Sequence, residues 1–129
     1  MKQAVGIDTV QIARFTGWHK YSDAQLLRCF SKDEIAYARS NNHFFAARLA
    51  ARLAAKEAFL KALYQLIPIT KLSLFQILRC VQVVKKENGS VFLAVDWQRL
   101  HLVHYQQATI NLSITHSDCC ASAVVTIVI

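Results

Sequence analysis

Residues 43–66, HFFAARLAARLAAKEAFLKALYQL, are the stretch of the sequence that decides the fold. Alanine, leucine, arginine, lysine and glutamate dominate this stretch, and all five have high helix propensities. Pro68, which cannot continue a helix, comes just beyond its end. The sequence therefore predicts one long helix over residues 43–66, whose many alanines permit other elements to pack closely against it.

Shorter elements are predicted before this helix. QAVGIDTV at residues 3–10 has β-branched residues on both sides of a glycine, which favours a strand with a close backbone approach at Gly6. Short helices are expected over residues 11–18 and 22–29. Ser31 followed by Glu34 has capping-box spacing, so another helix is expected to run from there towards residue 41.

A β-hairpin is predicted after the long helix. Residues 74–86 and 90–95 are apolar and β-branched, and they flank Asn88-Gly89. This dipeptide favours the positive φ values of a tight hairpin turn.

The end of the chain adds a helix and two strands. Asp96 is suited to cap a helix through about Gln106. INLSITHS at 110–117 and ASAVVTIVI at 121–129 then predict two closing strands joined by a turn. The expected fold class is α/β in the α+β sense, with a mostly antiparallel sheet packed on the long helix.

Composition limits the kinds of protein that the chain can be. Its 129 residues suit one domain, 1–129, and 54% hydrophobic residues with three Gly and one Pro exclude a disordered tail. The net charge of +7 favours an anionic partner: a phosphorylated ligand, nucleic acid or an acidic protein. No signal-peptide or membrane-span pattern occurs, and the four cysteines lack metal-site spacing. We therefore expect a cytoplasmic protein with reduced thiols and no membrane partner.

Charged residues of the long helix are the first candidates for chemistry. Arg48, Arg52 and Lys56 are spaced by four, so they lie on one face, either as a solvated stripe or as an anion site. Glu57 precedes Lys61 by four, which is also the spacing of an ordinary ion pair. Magnesium commonly takes only one or two protein carboxylates, so a site of that kind leaves almost no spacing signature.

Four motifs resemble those of the holo-acyl-carrier-protein synthases, within the phosphopantetheinyl transferase superfamily. They are GIDTVQIARF near the start, FSKDE at 30–34, ARLAAKEAFLKAL at 51–63 and NLSITHS near the end. The most specific parts are Gly-x-Asp at 6–8 and Arg-x-Ala-Ala-Lys-Glu-Ala at 52–58. The similarity runs nearly from end to end, and the motifs occur in the family's order.

The resemblance implies a fold, an activity and an assembly. The activity is transfer of the 4'-phosphopantetheine arm of coenzyme A to a serine of an acidic acyl carrier protein. This reaction uses Mg²⁺, and coenzyme A is the co-substrate. The family fold packs antiparallel strands on a long helix and usually assembles as a homotrimer, with active sites at the subunit interfaces.

The resemblance also implies roles for particular residues. Asp8 and Glu57 match the two magnesium ligands, and Lys56 matches a lysine beside the transferred phosphate, which makes these three the candidate catalytic residues. Arg52 and Lys61 fall where coenzyme A phosphates are held. The proton acceptor for the serine hydroxyl is left open between Glu57 and a water molecule on the metal.

Three further residues complete the expected site. Arg14 matches a basic residue that docks the carrier protein. Ser113 and His116 of NLSITHS are assigned to coenzyme A binding, and the alternative for His116 is a hydrogen-bonding residue at the end of its strand. Three positions separate them on one strand, so they point to opposite faces and a shared catalytic role is not expected.

Other functions remain open at this point. A net charge of +7 also suits a nucleic-acid-binding domain, although the aromatic residues form no nucleic-acid motif and we expect no such partner. An inactive trimeric interaction protein is a second possibility. A phosphopantetheinyl transferase with a broader range of carrier proteins is the alternative within the enzyme class.

Overall fold

The computed structural model of the protein describes residues 1–68 and 71–129. The strands and helices occur in the order β1 (Gln3–Gln11), α1 (Asp23–Leu26), α2 (Lys32–Arg39), α3 (Phe45–Leu66), α4 (Leu74–Cys80), β2 (Val81–Lys85), β3 (Val91–Val95), β4 (Thr109–His116) and β5 (Cys120–Val128). Short 3-10 turns occupy Ile12–Phe15, Trp18–Lys20, Asn42–Phe44 and Val103–Tyr105.

Two antiparallel sheets surround α3. β1, β5 and β4 form a three-stranded sheet in that order, so β1 and β4 are its opposite edges. β2 and β3 form a separate hairpin whose turn contains Gly89 at φ 88°. The α+β fold with antiparallel strands on one long helix is therefore confirmed, and so are the hairpin and the two closing strands.

The two faces of the larger sheet differ. The inner face packs small and branched residues of β1 and β5 against α3, and these residues are buried: Ala4, Val10, Ala121, Ala123, Val125 and Ile127. The outer face exposes Val5, Ile7 and Val124 to 51%, 61% and 37%. This alternation is the period of two expected for a half-buried strand, but the solvent face is unusually apolar.

Gly6 lets β1 approach α3 very closely, as the sequence predicts. A Cβ at this position would lie 1.8 Å from the carbonyl oxygen of Ala58, well inside van der Waals contact. Because Asp8 lies two residues further along β1, on the same inner face, this approach brings its side chain to the surface of the helix beside Glu57.

Two predicted elements differ in the structure. Residues 74–80 are the helix α4 and not a strand, because Ser73 and Gln76 form a capping box that starts a helix before the β-branched residues of β2 begin. The helix predicted from Asp96 to Gln106 is also wrong. Asp96 does accept a hydrogen bond from the Arg99 amide at 3.1 Å, but His101 has φ 59°, which ends the helical turn.

The region before α3 is close to the prediction. Ser31 and Glu34 form the predicted capping box and start α2. The helices expected over 11–18 and 22–29 are only short 3-10 turns and the single turn of α1. These turns place Arg14 near the carboxyl end of β1.

Candidate functional site

The carboxyl groups of Asp8 and Glu57 meet where β1 packs against α3. Asp8 comes from the strand and Glu57 from the middle of the helix, immediately before Ala58, the residue on which Gly6 packs. The Asp8 carboxyl group lies close enough to Glu57 to raise the pKa of Glu57. Oδ2 of Asp8 is buried, and among the described residues it has no hydrogen-bond partner.

Burial and the nearby Asp8 carboxylate raise the pKa of Glu57 to about 7. Arg14 and Lys61 act in the opposite direction but do not cancel these effects. A pair of carboxyl groups that share a site cannot both ionise without cost, so one of them retains its proton near neutrality. A cation placed between them would remove that cost.

Lys61 holds the Asp8 side chain in place. Its Nζ donates to Asp8 Oδ1 at 2.8 Å and to the carbonyl oxygen of Ile7 at 3.0 Å. The hydrogen bond to Asp8 raises the pKa of Lys61 above its usual range. The ordinary ion pair that the spacing of Glu57 and Lys61 also allows does not form within 4.0 Å, because Lys61 turns to Asp8 on the strand instead.

Arg14 lies close enough to Glu57 to lower its pKa, and both residues line a cleft of about 190 Å³. The rest of its wall is largely apolar and includes Phe15, Trp18, Phe30, Leu53, Phe75 and Leu78. An exposed arginine therefore stands at the mouth of an apolar cleft that ends at the carboxyl pair.

Lys56, the predicted neighbour of the transferred phosphate, lies inside the protein. The side chain is fully buried, and Nζ donates to Glu34 Oε1 at 2.7 Å, to Cys29 O at 3.0 Å and to Leu78 O at 3.3 Å. These three acceptors use all three ammonium protons. Burial lowers the pKa of Lys56, and the Glu34 carboxylate opposes that effect.

Glu34 completes a buried network around this ammonium. Its Oε1 also accepts the Ser31 amide at 2.8 Å, and its Oε2 accepts the Val83 amide at 2.9 Å. The network joins α2, α3, the end of α4 and β2. The sequence predicts Glu34 only as a capping residue. The one signal for its second role is Lys56, since a cation within an alanine-rich segment requires an anionic partner when it is buried.

A second, basic pocket of about 330 Å³ lies beside Tyr37. The guanidinium groups of Arg48 and Arg52 lie 4.0 and 4.4 Å from the centre of the Tyr37 ring, and Lys85 donates to the Tyr37 hydroxyl at 3.0 Å. Burial alone would raise the pKa of Tyr37, but Lys85, Arg48 and Arg52 together lower it below its ordinary value. The concentration of positive charge suits a phosphate group.

Arg52 and His116 both line this pocket, together with Ile114 and Gly89. Arg52 is only 6% exposed, burial lowers its pKa, and its Nε is buried with no hydrogen-bond partner in the described parts of the chain. The stripe of Arg48, Arg52 and Lys56 is therefore not a solvated face. The sequence does not predict that Tyr37 and Lys85 belong to this pocket, because nothing in their spacing connects them to α3.

Ser113 lies away from the pocket that contains His116. It is exposed on the outer face of β4, whereas His116 and Ile114 belong to the inner face. The predicted separation of Ser113 and His116 onto opposite faces of the strand is thus confirmed.

The carboxyl pair and the basic pocket are built from different strands of the sheet and from different directions around α3. β1, which carries Asp8, and β4, which carries His116, are separated by β5. On α3, five positions separate Arg52 from Glu57, which corresponds to about 140° around the helix axis. The two groups of charges therefore line different pockets, Glu57 one and Arg52 with His116 the other.

The side chains around Asp8 and Glu57 supply few donor atoms for a metal ion. No group of three or more histidine, cysteine, aspartate and glutamate side chains suited to a metal ion occurs in residues 1–68 and 71–129. Asp8 and Glu57 supply two carboxylates, which is the number that magnesium commonly takes from a protein. The orphaned Asp8 Oδ2 and the raised pKa of Glu57 both fit a hard divalent cation.

Comparison with known proteins gives the family. Residues 4–128 match the 4'-phosphopantetheinyl transferase superfamily, and the chain belongs to it. Within the superfamily the chain is similar to the holo-[acyl-carrier-protein] synthase of Treponema denticola, with 38% identity over 125 residues and 95% of each chain covered.

Solved structures of such synthases have the same fold. The Chronobacterium ammoniagenes ACPS-CoA complex has a TM-score of 0.79 at 26% identity and covers 98% of this chain and 97% of that one. The Helicobacter pylori holo-[acyl-carrier-protein] synthase in complex with coenzyme A has a TM-score of 0.70 at 27% identity, with 96% and 99% covered. None of the helices in the described residues is long and apolar enough to span a membrane.

Proposed function

We propose that this protein transfers the 4'-phosphopantetheine group of coenzyme A to a serine of apo acyl carrier protein. The products are holo acyl carrier protein and adenosine 3',5'-bisphosphate, and the reaction serves fatty acid biosynthesis in the cytoplasm. The similarity to a holo-[acyl-carrier-protein] synthase over 95% of the chain is the observation that carries the proposal. The four free cysteines of the described residues fit a reducing compartment.

The proposal includes a magnesium ion held by Asp8 and Glu57. Its support is the buried, orphaned Oδ2 of Asp8 and the raised pKa of Glu57. When bound, Mg²⁺ would neutralise the diphosphate of coenzyme A and stabilise the charge that develops as the P–O bond breaks. Lys61 acts on this site by fixing Asp8 through its 2.8 Å hydrogen bond, and its ammonium adds a positive charge for the coenzyme A phosphates.

Lys56 is proposed to act as a positioning residue. Its ammonium has no proton left for a phosphate, since three protein oxygens accept all of them. It precedes Glu57 in α3, so its anchorage to Glu34 fixes the rotation of the helix and hence the direction of the neighbouring carboxyl group.

The basic pocket is proposed to bind the nucleotide part of coenzyme A. Arg48, Arg52 and Lys85 supply cations around Tyr37, and His116 completes the wall. Ser113 lies outside the pocket, on the outer face of the sheet, so any contact of Ser113 with coenzyme A would have to come from another subunit.

A homotrimer is proposed as well, and its support is that the two charged groups line different pockets of the chain. In this proposal a complete site consists of the carboxyl pair of one subunit and the basic pocket of its neighbour. The apolar outer face, with Val5, Ile7 and Val124, is the surface proposed to pack between subunits.

The transfer is tested by mass spectrometry. Apo acyl carrier protein is incubated with the protein, coenzyme A and Mg²⁺, and a mass increase of one phosphopantetheine arm is expected. Asp8→Asn and Glu57→Gln should both abolish the increase and weaken the dependence on Mg²⁺, while Lys2→Glu at the exposed start of the chain serves as the control. An unmodified carrier with the wild-type protein would reject the proposed reaction.

A further inference from the structure

The turn between β4 and β5 carries two adjacent thiols that the proposed transfer does not use. Cys119 ends the turn and is exposed, and Cys120, the first residue of β5, is half-buried. Both thiols line a cleft of about 490 Å³. The other residues of its wall are Gln11, Ile12, Ala13, Thr16 and Asp118. None of these residues lines the cleft of Glu57 or the basic pocket of Arg52, so the thiols belong to a different part of the surface.

Backbone hydrogen bonds hold the two thiols at this cleft. The carbonyl oxygen of Cys119 accepts the Ile12 amide at 2.9 Å, and Cys120 pairs with Gln11 in the register of β5 and β1. Across the turn, the Ser117 amide donates to the carbonyl oxygen of Cys120 at 2.8 Å. The turn is therefore tied to the strands on both sides, and the exposed Cys119 thiol stands on a fixed backbone.

The Ser117 hydroxyl lies against the Cys119 sulfur. Its Oγ accepts the amides of Cys119 at 3.4 Å and Cys120 at 3.3 Å, and it lies 3.6 Å from Cys119 Sγ. The hydroxyl proton has two acceptors within reach, Cys119 Sγ and the Cys120 carbonyl oxygen at 3.5 Å. Because a charged acceptor forms the stronger hydrogen bond, the proton favours the sulfur when Cys119 is ionised.

The two thiols differ in how readily they ionise. Hydrogen bonds from Ser117 and Cys120 lower the pKa of Cys119 below its ordinary value of 9.0, although the Asp118 carboxylate acts in the opposite direction. The contact with Cys119 raises the pKa of Cys120. Apart from the two thiols, Asp118 is the one titratable side chain among the described residues of the cleft wall. Cys119 is therefore the residue that supplies a thiolate, which is the nucleophilic form of cysteine.

Cys120 is poorly placed to form a disulfide with Cys119. The Cα atoms of consecutive residues are about 3.8 Å apart, whereas disulfides usually join Cα atoms about 4.4–6.8 Å apart. A disulfide between the two would be strained and easily reduced. A group attached to the Cys119 sulfur is therefore not readily displaced by its neighbour.

We infer that Cys119 is a site of reversible S-thiolation, at which a small aliphatic disulfide without carboxylates reacts in the cleft beside Ile12. The Cys119 thiolate attacks one sulfur of R–S–S–R and forms the mixed disulfide Cys119–S–S–R. The other half leaves as R–S⁻, which takes up the proton that Cys119 has lost. Cys119 is oxidised, the departing thiol is reduced, and any free thiol reverses the exchange. The carboxylate of Asp118 is the reason that R groups bearing a carboxylate are disfavoured.

Mass spectrometry of the intact chain with 2-hydroxyethyl disulfide tests this site, and it requires neither coenzyme A nor a carrier protein. Near neutral pH, the wild type is expected to gain one hydroxyethylthio group, which peptide mapping places on Cys119. Cys119→Ser should gain a group about tenfold more slowly, since the buried Cys80 and the half-buried Cys29 are less accessible. Cys120→Ser retains a hydrogen-bond donor and should react at close to the wild-type rate.

The Ser117 hydroxyl is tested by the pH profile of the same reaction. Ser117→Ala should react about threefold more slowly near neutral pH, and the midpoint of its profile should lie closer to 9.0 than that of the wild type. Ser117→Thr keeps the hydroxyl and should restore both the rate and the midpoint. A slow alanine variant with a restored threonine variant separates the effect of the hydroxyl from a general disturbance of the turn.

Three results would overturn the inference. The first is a wild-type chain that stays unmodified or reacts first at Cys29. The second is a wild-type chain that loses two hydrogens and carries no added group, because Cys120 would then displace the group and close a disulfide. The third is an Ser117→Ala profile identical to that of the wild type.

Discussion

Gly6 and Ala58 bring the candidate site together, because a Cβ on Gly6 would lie only 1.8 Å from the Ala58 carbonyl oxygen. Asp8 follows Gly6 by two residues on the inner face of β1, and Glu57 directly precedes Ala58 on α3. The close approach of strand and helix thus unites two carboxyl groups that are 49 positions apart in the sequence.

The first prediction concerns this contact. Gly6→Ala should destabilise the protein by about 2–3 kcal/mol, because the added methyl group meets backbone atoms that cannot rotate away. It should also weaken Mg²⁺ binding by moving Asp8 from Glu57. Gly17→Ala is the matched control: Gly17 has open space around it and φ 88°, so strain of about 1 kcal/mol is expected without any effect on Mg²⁺. Urea unfolding measures the free energy of unfolding, and Mg²⁺ titration measures the affinity for the ion. Equal stability and equal Mg²⁺ affinity in the two variants would contradict the role of Gly6.

The second prediction is a pH dependence of stability in the absence of divalent cations. The pKa of Glu57 is about 7 in the folded protein, against an ordinary value of 4.5. Between these values the folded state keeps a proton that the unfolded state has released, so stability falls as pH rises through this window and levels off above it. Below the lower value both states are protonated and Glu57 has no effect.

Glu57→Gln isolates this contribution. Urea unfolding in the presence of a chelator, at a series of pH values across the window, should give a steeper decline for the wild type than for the variant. Mg²⁺ should reduce the difference, since it favours the ionised carboxylate. Parallel curves for the two proteins would show that Glu57 titrates normally.

Much of the fold was predictable from local signals. The alanine-rich composition predicts α3, and the β-branched residues around Gly6 predict β1. The apolar patterns of residues 110–117 and 121–129 predict β4 and β5, and Asn88-Gly89 predicts the hairpin. The failures have physical causes: Ser73 caps a helix in a segment whose apolar residues suit a strand equally well, and the positive φ of His101 stops the helix that Asp96 could have started.

The candidate site was predictable only where a motif marks it. Asp8 and Glu57 were identified through family resemblance, because two carboxylates 49 positions apart have no spacing signature. The burial of Lys56 was not predictable from its helical face alone, since its direction depends on Glu34, 22 positions earlier. Tyr37 and Lys85 become site residues only through tertiary packing around α3.

The third prediction concerns the ion pair of Glu34 and Lys56. Both side chains are 0% exposed, so removing either charge leaves the other buried and uncompensated. Glu34→Gln and Lys56→Met should each cost about 3–5 kcal/mol, and the double variant should cost less than the sum of the two. The control is Asp23→Asn, whose exposed ion pair with Arg39 should be worth only about 0–1 kcal/mol. Denaturant unfolding of the wild type, the two single variants and the double variant gives the double-mutant cycle, and the control is measured beside them. Additive losses of stability would mean that Glu34 and Lys56 do not interact.

The last prediction tests whether the active site is shared between subunits. Asp8→Asn leaves the basic pocket intact, and Arg52→Ala leaves the carboxyl pair intact. Each variant alone should be inactive in arm transfer. In mixed trimers, however, the carboxyl pair of an Arg52→Ala subunit can face the basic pocket of an Asp8→Asn subunit. Random assembly of equal amounts should then restore about a quarter of the wild-type activity, because half of the subunits supply each intact part.

Co-expression or joint refolding of the two variants, followed by the carrier-protein mass assay, measures this recovery. Simple mixing of preassembled variants is the control, and its activity should rise only as fast as subunits exchange. Light scattering on the same samples should give a trimer, and Ile7→Asp on the apolar outer face should reduce both the trimer and the activity. If jointly assembled variants stay inactive while each forms a normal trimer, the complete site lies within one chain. In that case Asp8 of β1 and Arg52 of α3 would have to act together within one subunit.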